Sequence, residues 1–295
     1  MPTYSFKQEA KVFVVTNNQR HNIDVSDVEF SQTFATRNYP VKTLHNLANV
    51  FEASVINRAN AANFTFRVPA IVEGDYTVLH TLLLDASLFD LYVTTEAETF
   101  KLENAVITNG SFVIERSRPL SIEIQGEASK LTLGATLAGT LQTRSATSNY
   151  TLPSIDITIG SASLSNVASI GIELQNDIEW IPYATVHGGQ AATDASTSMY
   201  PTTFALKSKI LSGSIAQYLT SDDTNISQTW NNSETISIKA GNGESGTNFR
   251  GFSFGPATCT FTNRMNAGTV FTQNYDWRMT ENPTSLGTIL KYETD

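Results

Sequence analysis

Apolar and polar residues alternate most regularly in residues 100–129. The clearest alternation runs through Leu120, Ser121, Ile122, Glu123, Ile124 and Gln125. A period of two predicts strands with one buried and one solvent-facing side. Turn signals at Asn109-Gly110 and at Ser117-Arg118-Pro119 divide the stretch into three short predicted strands. A related pattern recurs in residues 249–279, which indicates a β-unit that the chain uses twice.

Apolar residues at helical spacing follow a possible N-terminal capping residue in each half of the chain. In the first half, Asp75 can cap the helix N-terminus, and four apolar residues follow on one face. These residues are Leu79, Leu82, Leu83 and Ala86. In the second half, Ile215, Tyr218 and Leu219 follow a possible Ser214 cap. The pattern therefore predicts a short helix in each half.

The predicted elements follow the same order in both halves. Residues 165–176 align without gaps with residues 26–37. A long excursion comes next in each half, at residues 38–63 and 177–201, and then a strand, the helix and more strands. Apolar residues at helical spacing in residues 44–51 fit either a short helix or an apolar loop face. This self-similarity predicts duplication of one supersecondary unit with a period of roughly 140 residues.

The length of 295 residues fits two units of roughly 150 residues, each able to bury its own core. Residues 134–149 are rich in Gly, Ser, Thr and Ala and are the best linker candidate. We therefore expect two mainly β domains, residues 1–147 and 148–295. Each is expected to be a β-sandwich flanked by a short α-helix.

The charge and the apolar runs exclude several classes of protein. A net charge of −9 argues against sequence-independent nucleic-acid binding, which needs clustered Lys and Arg. No apolar run approaches the roughly 20 residues of a membrane-spanning helix, and no basic and apolar leader is apparent. We expect a protein made in a reducing cytoplasm and not inserted into a membrane. The single cysteine, Cys259, lies in an alternating strand and is expected to be a small buried side chain.

No catalytic, cofactor-binding or metal site is predicted. Residues 241–246 match G-x-G-x-x-G, but a strand pattern follows where phosphate binding needs a helix N-terminus, so a hairpin loop is expected. The four histidines lack the spacing of metal ligands. Two carboxylate pairs could in principle serve a glycosidase, although neighbouring carboxylates in a polar turn are usually only solvated. These pairs are Glu96 with Glu98 and Asp222 with Asp223.

The run of helix and strands in residues 82–131, with the long loop before it, resembles the closing half of the tail tube proteins of long-tailed bacteriophages. The resemblance covers most of the first half and is weaker in the second. It implies a β-sandwich flanked by a helix, whose sheets join side by side into a ring-shaped β-barrel around a channel. Most family members have one such domain and form hexameric rings. A duplicated domain therefore implies a homotrimer with pseudo-sixfold symmetry.

The resemblance also implies a function and partners. It implies a structural virion protein, assembled in the host cytoplasm, whose stacked rings conduct double-stranded DNA from capsid to host without a cofactor. Other tail proteins, such as the tape measure, terminator and tip or baseplate proteins, would be its partners. The acidic charge agrees with this role, because a basic track would retain DNA. The two excursions are expected to contact the adjacent ring.

Side chains opposite the apolar face of the displayed strands are the candidates for the channel lining. They are Ser121, Glu123 and Gln125 in the first half and Glu173 and Gln175 in the second. Two other classes of protein remain open. A receptor-binding tail adhesin with exposed loops would not form stacked rings. A polysaccharide-degrading enzyme would lose activity when its carboxylate pairs are mutated.

Overall fold

The structure is a computed structural model that describes most of the chain. The described residues are 7–40, 52–69, 75–115, 118, 120–143, 154–181, 199–220, 232–244, 247–281 and 285–294. Within them the protein is mainly β, with a single α-helix, α1 (Asp75–Asp85). The first half contains β1 (Lys11–Thr16), β2 (Gln19–Ile23), β3 (Asp27–Ser31), β4 (Phe34–Pro40), β5 (Glu52–Ala59), β6 (Ala62–Val68), β7 (Phe89–Thr94), β8 (Thr99–Glu115), β9 (Ser121–Leu133) and β10 (Thr140–Leu141). The second half contains β11 (Ser154–Ile159), β12 (Ala162–Ser163), β13 (Val167–Trp180), β14 (Phe204–Tyr218), β15 (Asn232–Glu244), β16 (Thr247–Ala267), β17 (Phe271–Met279) and β18 (Leu290–Thr294).

Sixteen of these strands form one sheet that runs through both halves of the described chain. Its main path is β10-β2-β1-β7-β8-β13-β14-β17-β16-β15-β11-β12. A branch from β8 continues through β9 and β6 to β3, and β18 pairs with β16. The halves meet where residues 109–115 of β8 pair antiparallel with residues 169–175 of β13. The remaining two strands, β4 and β5, form a separate hairpin that prolongs β3 and β6.

The sheet folds over so that its apolar sides face each other. Phe30 on β3 lies 5.1 Å, ring centre to ring centre, from Phe100 on β8. Phe64 on β6 lies 6.1 Å from Phe89 on β7. In the sheet, neither β3 nor β6 pairs with β7 or β8. These ring contacts therefore join two layers that face each other. One contiguous cluster of buried side chains extends from these layers into the second half.

The predicted turn at Asn109-Gly110 is wrong, because β8 passes through it without a break. Glycine is required there by packing. A Cβ atom on Gly110 would lie 2.3 Å from a methyl carbon of Leu83, which packs from α1 onto the strand. The Asn-Gly pair therefore marks where the helix approaches the sheet. The second predicted reversal is confirmed, since β8 ends at Glu115 and its antiparallel partner β9 begins at Ser121.

The predicted helix around residues 212–219 is also wrong, because this segment is the second part of β14. Ile215 and Gln217 are buried on alternate positions, the period of a strand. β14 pairs along this part with β13 on one side and with β17 on the other. The helical spacing of Ile215, Tyr218 and Leu219 is overridden by these two ladders, and Tyr218 is exposed.

The predicted first helix is confirmed as α1, and the four apolar residues predicted for its inner face are buried. Two of its C-terminal carbonyl groups accept hydrogen bonds from the second half. The buried Asn176 side chain donates to the carbonyl oxygens of Leu83 and Ile107, at 2.9 Å in both cases. Lys209 donates to the carbonyl oxygen of Leu84. Because the last carbonyls of a helix lack partners within it, these bonds attach α1 to β13 and β14.

The long excursions are shorter than predicted. The first contains β4 and β5, so that even Pro40 is paired, with Glu52. The second begins only after Trp180, because residues 177–180 still belong to β13. The possible helix at residues 44–51 and most of the second excursion lie outside the described residues. The expected domain boundary at residues 147 and 148 also lies outside the described residues. Within the proposed linker, β10 pairs with β2.

Two smaller predictions are confirmed. Cys259 is fully buried, and burial raises the pKa of its thiol to about 12. The G-x-G-x-x-G match joins two paired strands, β15 and β16, and no helix follows it. No helix within the described residues has the length and hydrophobicity needed to cross a bilayer.

His80 on α1 makes stability depend on pH. Desolvation by burial lowers the pKa of its imidazole to about 4, below the 6.5 of an exposed histidine. The folded protein therefore protonates His80 less readily than the unfolded chain does. The stability that comes from burying the neutral imidazole is fully present above pH 6.5 and is lost as the pH falls toward 4. When the pH falls from 7 to 4.5, the free energy of unfolding of His80→Gln should decrease by about 2 kcal/mol less than that of the wild type. Urea titrations at both pH values would measure this, and equal losses would contradict it.

Candidate functional site

The five side chains predicted to line a channel all lie on one side of the sheet. Directly opposed residues of neighbouring strands point to the same side of a sheet. Ser111 on β8 is opposite Glu123 on β9 and also opposite Glu173 on β13. Asn109 is likewise opposite both Gln125 and Gln175. The candidates of the two halves therefore belong to one continuous surface, although they lie on strands from different halves.

This surface, called the polar face here, extends across eight strands. Its central row follows the register from β3 to β16 and consists of Asp27, Arg67, Glu123, Ser111, Glu173, Ser212, Arg278 and Thr260. All eight residues are exposed or half-buried, whereas their neighbours Ile122, Ile124, Ile172 and Leu174 are buried. The predicted alternation of β9 is confirmed, and the same alternation holds across the joint between the halves.

Arg67 forms an ion pair with Glu123. Its guanidinium nitrogen lies 2.7 Å from a carboxylate oxygen of Glu123, and the Gln125 amide donates to the other oxygen at 3.1 Å. These hydrogen bonds, that of Arg67 first, hold the pKa of Glu123 below its usual range. Glu123 is therefore ionised at neutral pH, and its charge is locally balanced by Arg67.

Glu173 accepts a hydrogen bond from the side-chain amide of Asn109 at 2.7 Å, across the joint between β8 and β13. Sequence reasoning missed both Asn109 and Arg67 as parts of this face. The alternation around residues 64–68 could have placed Arg67 on a solvent-facing side, but no pattern in the sequence shows which strand lies beside it. The Asn109-Gly110 pair predicts a turn, and a turn residue would not be expected on a strand of the polar face.

The polar face has the chemistry of a neutral to acidic surface. Its central row carries three carboxylates and two guanidinium groups. Of the two carboxylate pairs considered for a glycosidase, the one within the described residues does not lie on this face. Glu96 and Glu98 lie in the turn between β7 and β8, where Glu98 accepts the backbone N–H of Thr99. Asp222 and Asp223 lie outside the described residues.

Comparison with protein families decides the class of protein. Residues 76–294, from α1 to β18, match the sequence model of the bacteriophage baseplate tube protein family. The chain belongs to this family. A baseplate tube protein is a structural component of the phage tail or baseplate, and therefore of the virion. None of the curated proteins compared with the chain matches it.

The family match supports a structural role in the phage tail or baseplate. The resemblance to tail tube proteins is confirmed at the level of a phage tail or baseplate tube. The adhesin and the polysaccharide-degrading enzyme are not favoured, because baseplate tube proteins are structural. As a tail or baseplate component, the chain is expected to contact other phage tail proteins.

Proposed function

We propose that three copies of this baseplate tube protein form a ring with pseudo-sixfold symmetry, and that such rings stack into a tube segment that conducts double-stranded DNA. In this proposal the two halves of the chain are copies of one unit. Each ring then contains six units. Single-domain tail tube proteins, which the sequence resembles, would reach the same number with six chains. The ring's partners are further rings and other tail proteins.

The continuous ladder between the halves carries the proposal. A tube wall needs units joined edge to edge, and the seven paired positions of β8 and β13 join the halves in that way. The strand order supports duplication. It is β2-β1-β7-β8-β9-β6-β3 in the first half and β12-β11-β15-β16-β17-β14-β13 in the second. Repeating the same joint between chains would extend the wall until the rotation closes the ring.

The polar face is proposed as the lumen side of this wall. It is continuous across both halves, and it offers phosphate groups no uninterrupted cationic track, because carboxylates alternate with the arginines of its central row and two of its arginines form ion pairs. Arg67 is beside Glu123, and Arg264 pairs with Asp276 on the same side of β16 and β17. Without released counterions, DNA gains little from contact and can move through.

Electron microscopy of the purified protein and of phage particles tests the proposal. We expect rings or short tubes with three chains per ring, the chain count being obtained by native mass spectrometry. Antibody labelling should place the protein along the axis of the tail or baseplate. A protein that stays monomeric at high concentration and is found on peripheral fibres of the particle would contradict the proposal and favour an adhesin.

A further inference from the structure

The joint between the halves contains an apolar plug as well as a ladder. Phe112 and Ile114, at the end of β8, are each only 1% exposed. The Phe112 ring lies 4.3 Å, centre to centre, from Phe252 on β16, so that the end of the first half's β8–β9 hairpin packs into the core of the second half. Strand pairing and this insertion together cover the end of the hairpin.

The corresponding hairpin of the second half, β16–β17, has no such cover within the described residues. Met265 and Phe271 are both 58% exposed. They lie on the core-facing side of their strands, because Phe261, Tyr275 and Trp277 at alternate positions are buried. Residues 262–267 pair with β17 on one side, and the last described β15 pair on the other side is Asn232 with Phe261. The hairpin end therefore exposes an apolar surface and a strand edge.

In the first half, the place where the second half receives the plug is a cleft that none of the described residues fills. The cleft has a volume of about 630 Å³ and is lined by Val28, Phe30, Phe64, Val93 and Phe100, among others. Phe100 lies near the start of β8, as Phe252 lies near the start of β16. β3 forms one wall and, among the described strands, pairs only with β6, whereas its counterpart β13 pairs with both β14 and β8.

We propose that the β16–β17 hairpin end of one copy inserts into this cleft of the next copy, with Met265 and Phe271 as the plug. The end of β16 adds antiparallel to the edge of β3 that pairs with no described strand, and so repeats between chains the joint that β8 and β13 make within the chain. The partner is a second copy of this chain, since its own second half carries the matching surface. The inference rests on the proposed ring and assigns its chain-to-chain contact.

Lys7 lies beside the edge of β3, where the incoming strand would pair. Its ammonium group pairs with Asp27 and, at 3.4 Å, with Glu29. All three side chains are more than half exposed, so the pairs contribute little to stability and present a weak obstacle. The larger contribution comes from the apolar plug, because it removes exposed apolar surface from water.

Photocross-linking from position 271 tests the contact directly. Phe271 is replaced by p-benzoylphenylalanine, a close analogue, and isotopically labelled and unlabelled chains are mixed before assembly. We expect cross-links between labelled and unlabelled chains, from position 271 to peptides containing residues 28–30 or 93–100. The same reagent at exposed Leu88, outside the hairpin and the cleft lining, is the control and should not give this cross-link.

Complementary blocked variants test the head-to-tail arrangement. Met265→Lys with Phe271→Lys charges the plug, and Ala10→Trp fills the mouth of the cleft, which Ala10 lines. Each variant alone should be a folded monomer by circular dichroism and sedimentation. An equimolar mixture should give dimers and no rings, because the one intact plug fills the one intact cleft and the dimer is left with only a blocked plug and a blocked cleft. Should Ala10→Trp fail to fold, Phe30→Lys blocks the same cleft.

The outcomes separate this inference from the proposed ring. Rings that form with cross-links to other segments, or that form from either blocked variant alone, would overturn the contact and leave the ring in place. Absence of rings in the wild type and in phage particles would overturn the ring and the contact with it. Monomeric variants that recover dimers on mixing support both.

Discussion

Replacing Gly126 by alanine is expected to lower the free energy of unfolding by at least about 2 kcal/mol. Gly126 lies on β9 between β6 and β8. A Cβ atom there would lie 2.2 Å from the ring of Phe64 and 2.4 Å from the carbonyl oxygen of Val106. The Phe64 ring is packed in the core, and the carbonyl belongs to the backbone of the neighbouring strand, so neither can move without breaking other contacts.

Gly287→Ala is the matched control. Its added Cβ would meet its nearest neighbour, a methyl carbon of Leu84, at 3.6 Å, which is ordinary van der Waals contact. Its unfolding free energy should stay within about 0.5 kcal/mol of the wild type. Urea unfolding followed by tryptophan fluorescence measures both variants. Equal stabilities of the two would show that the sheet around Gly126 is looser than its packing indicates.

The parts of the fold that were predicted from the sequence depend on one strand or one helix at a time. The alternation of Leu120, Ile122 and Ile124 is set by the two sides of a single strand, and it is correct wherever one side is buried. The apolar stripe of α1 follows from a single helix in the same way. Membership of a phage tube family was likewise recognised from the order of such elements.

The wrong predictions concern residues whose conformation is decided by neighbours distant in the sequence. Gly110 was assigned to a turn because Asn-Gly favours turns, but the contact that requires glycine there comes from Leu83 on α1. The segment ending at Tyr218 was assigned to a helix because of its spacing, yet β13 and β17 hold it as a strand. Local propensity is weak against two complete ladders.

The polar face could be predicted only strand by strand. The alternation within each strand predicts, independently for each half, that Glu123 and Glu173 face solvent. That both flank Ser111 depends on the register of β8 against β9 and β13, which no local pattern specifies. The same limit applies to Arg67, whose charge lies beside Glu123 only because β6 pairs with β9. The local charge balance of the face is therefore a property of the sheet.

Charge reversal at Glu123 and Glu173 is expected to slow DNA passage by at least about tenfold at low salt, if the polar face lines the lumen. Each chain gains two lysines, so the proposed trimeric ring gains six. Glu123→Lys also removes the partner of Arg67 and places two cations side by side. Loss of this partly exposed ion pair should cost the fold about 1 kcal/mol. Genome release from assembled particles, followed with a DNA-binding dye at several salt concentrations, measures the effect.

Glu9→Lys with Glu96→Lys is the control with the same change of charge. Both side chains are exposed, Glu9 in a short 3-10 helix before β1 and Glu96 in the turn between β7 and β8, and neither belongs to the central row of the polar face. These particles should release DNA at the wild-type rate. The delay of the Glu123 and Glu173 variant should shrink as salt rises, because released counterions drive the retention of DNA. Release at the normal rate at low salt, from particles that carry both changes, would place the polar face on the outside of the tube and the opposite side of the wall toward the DNA.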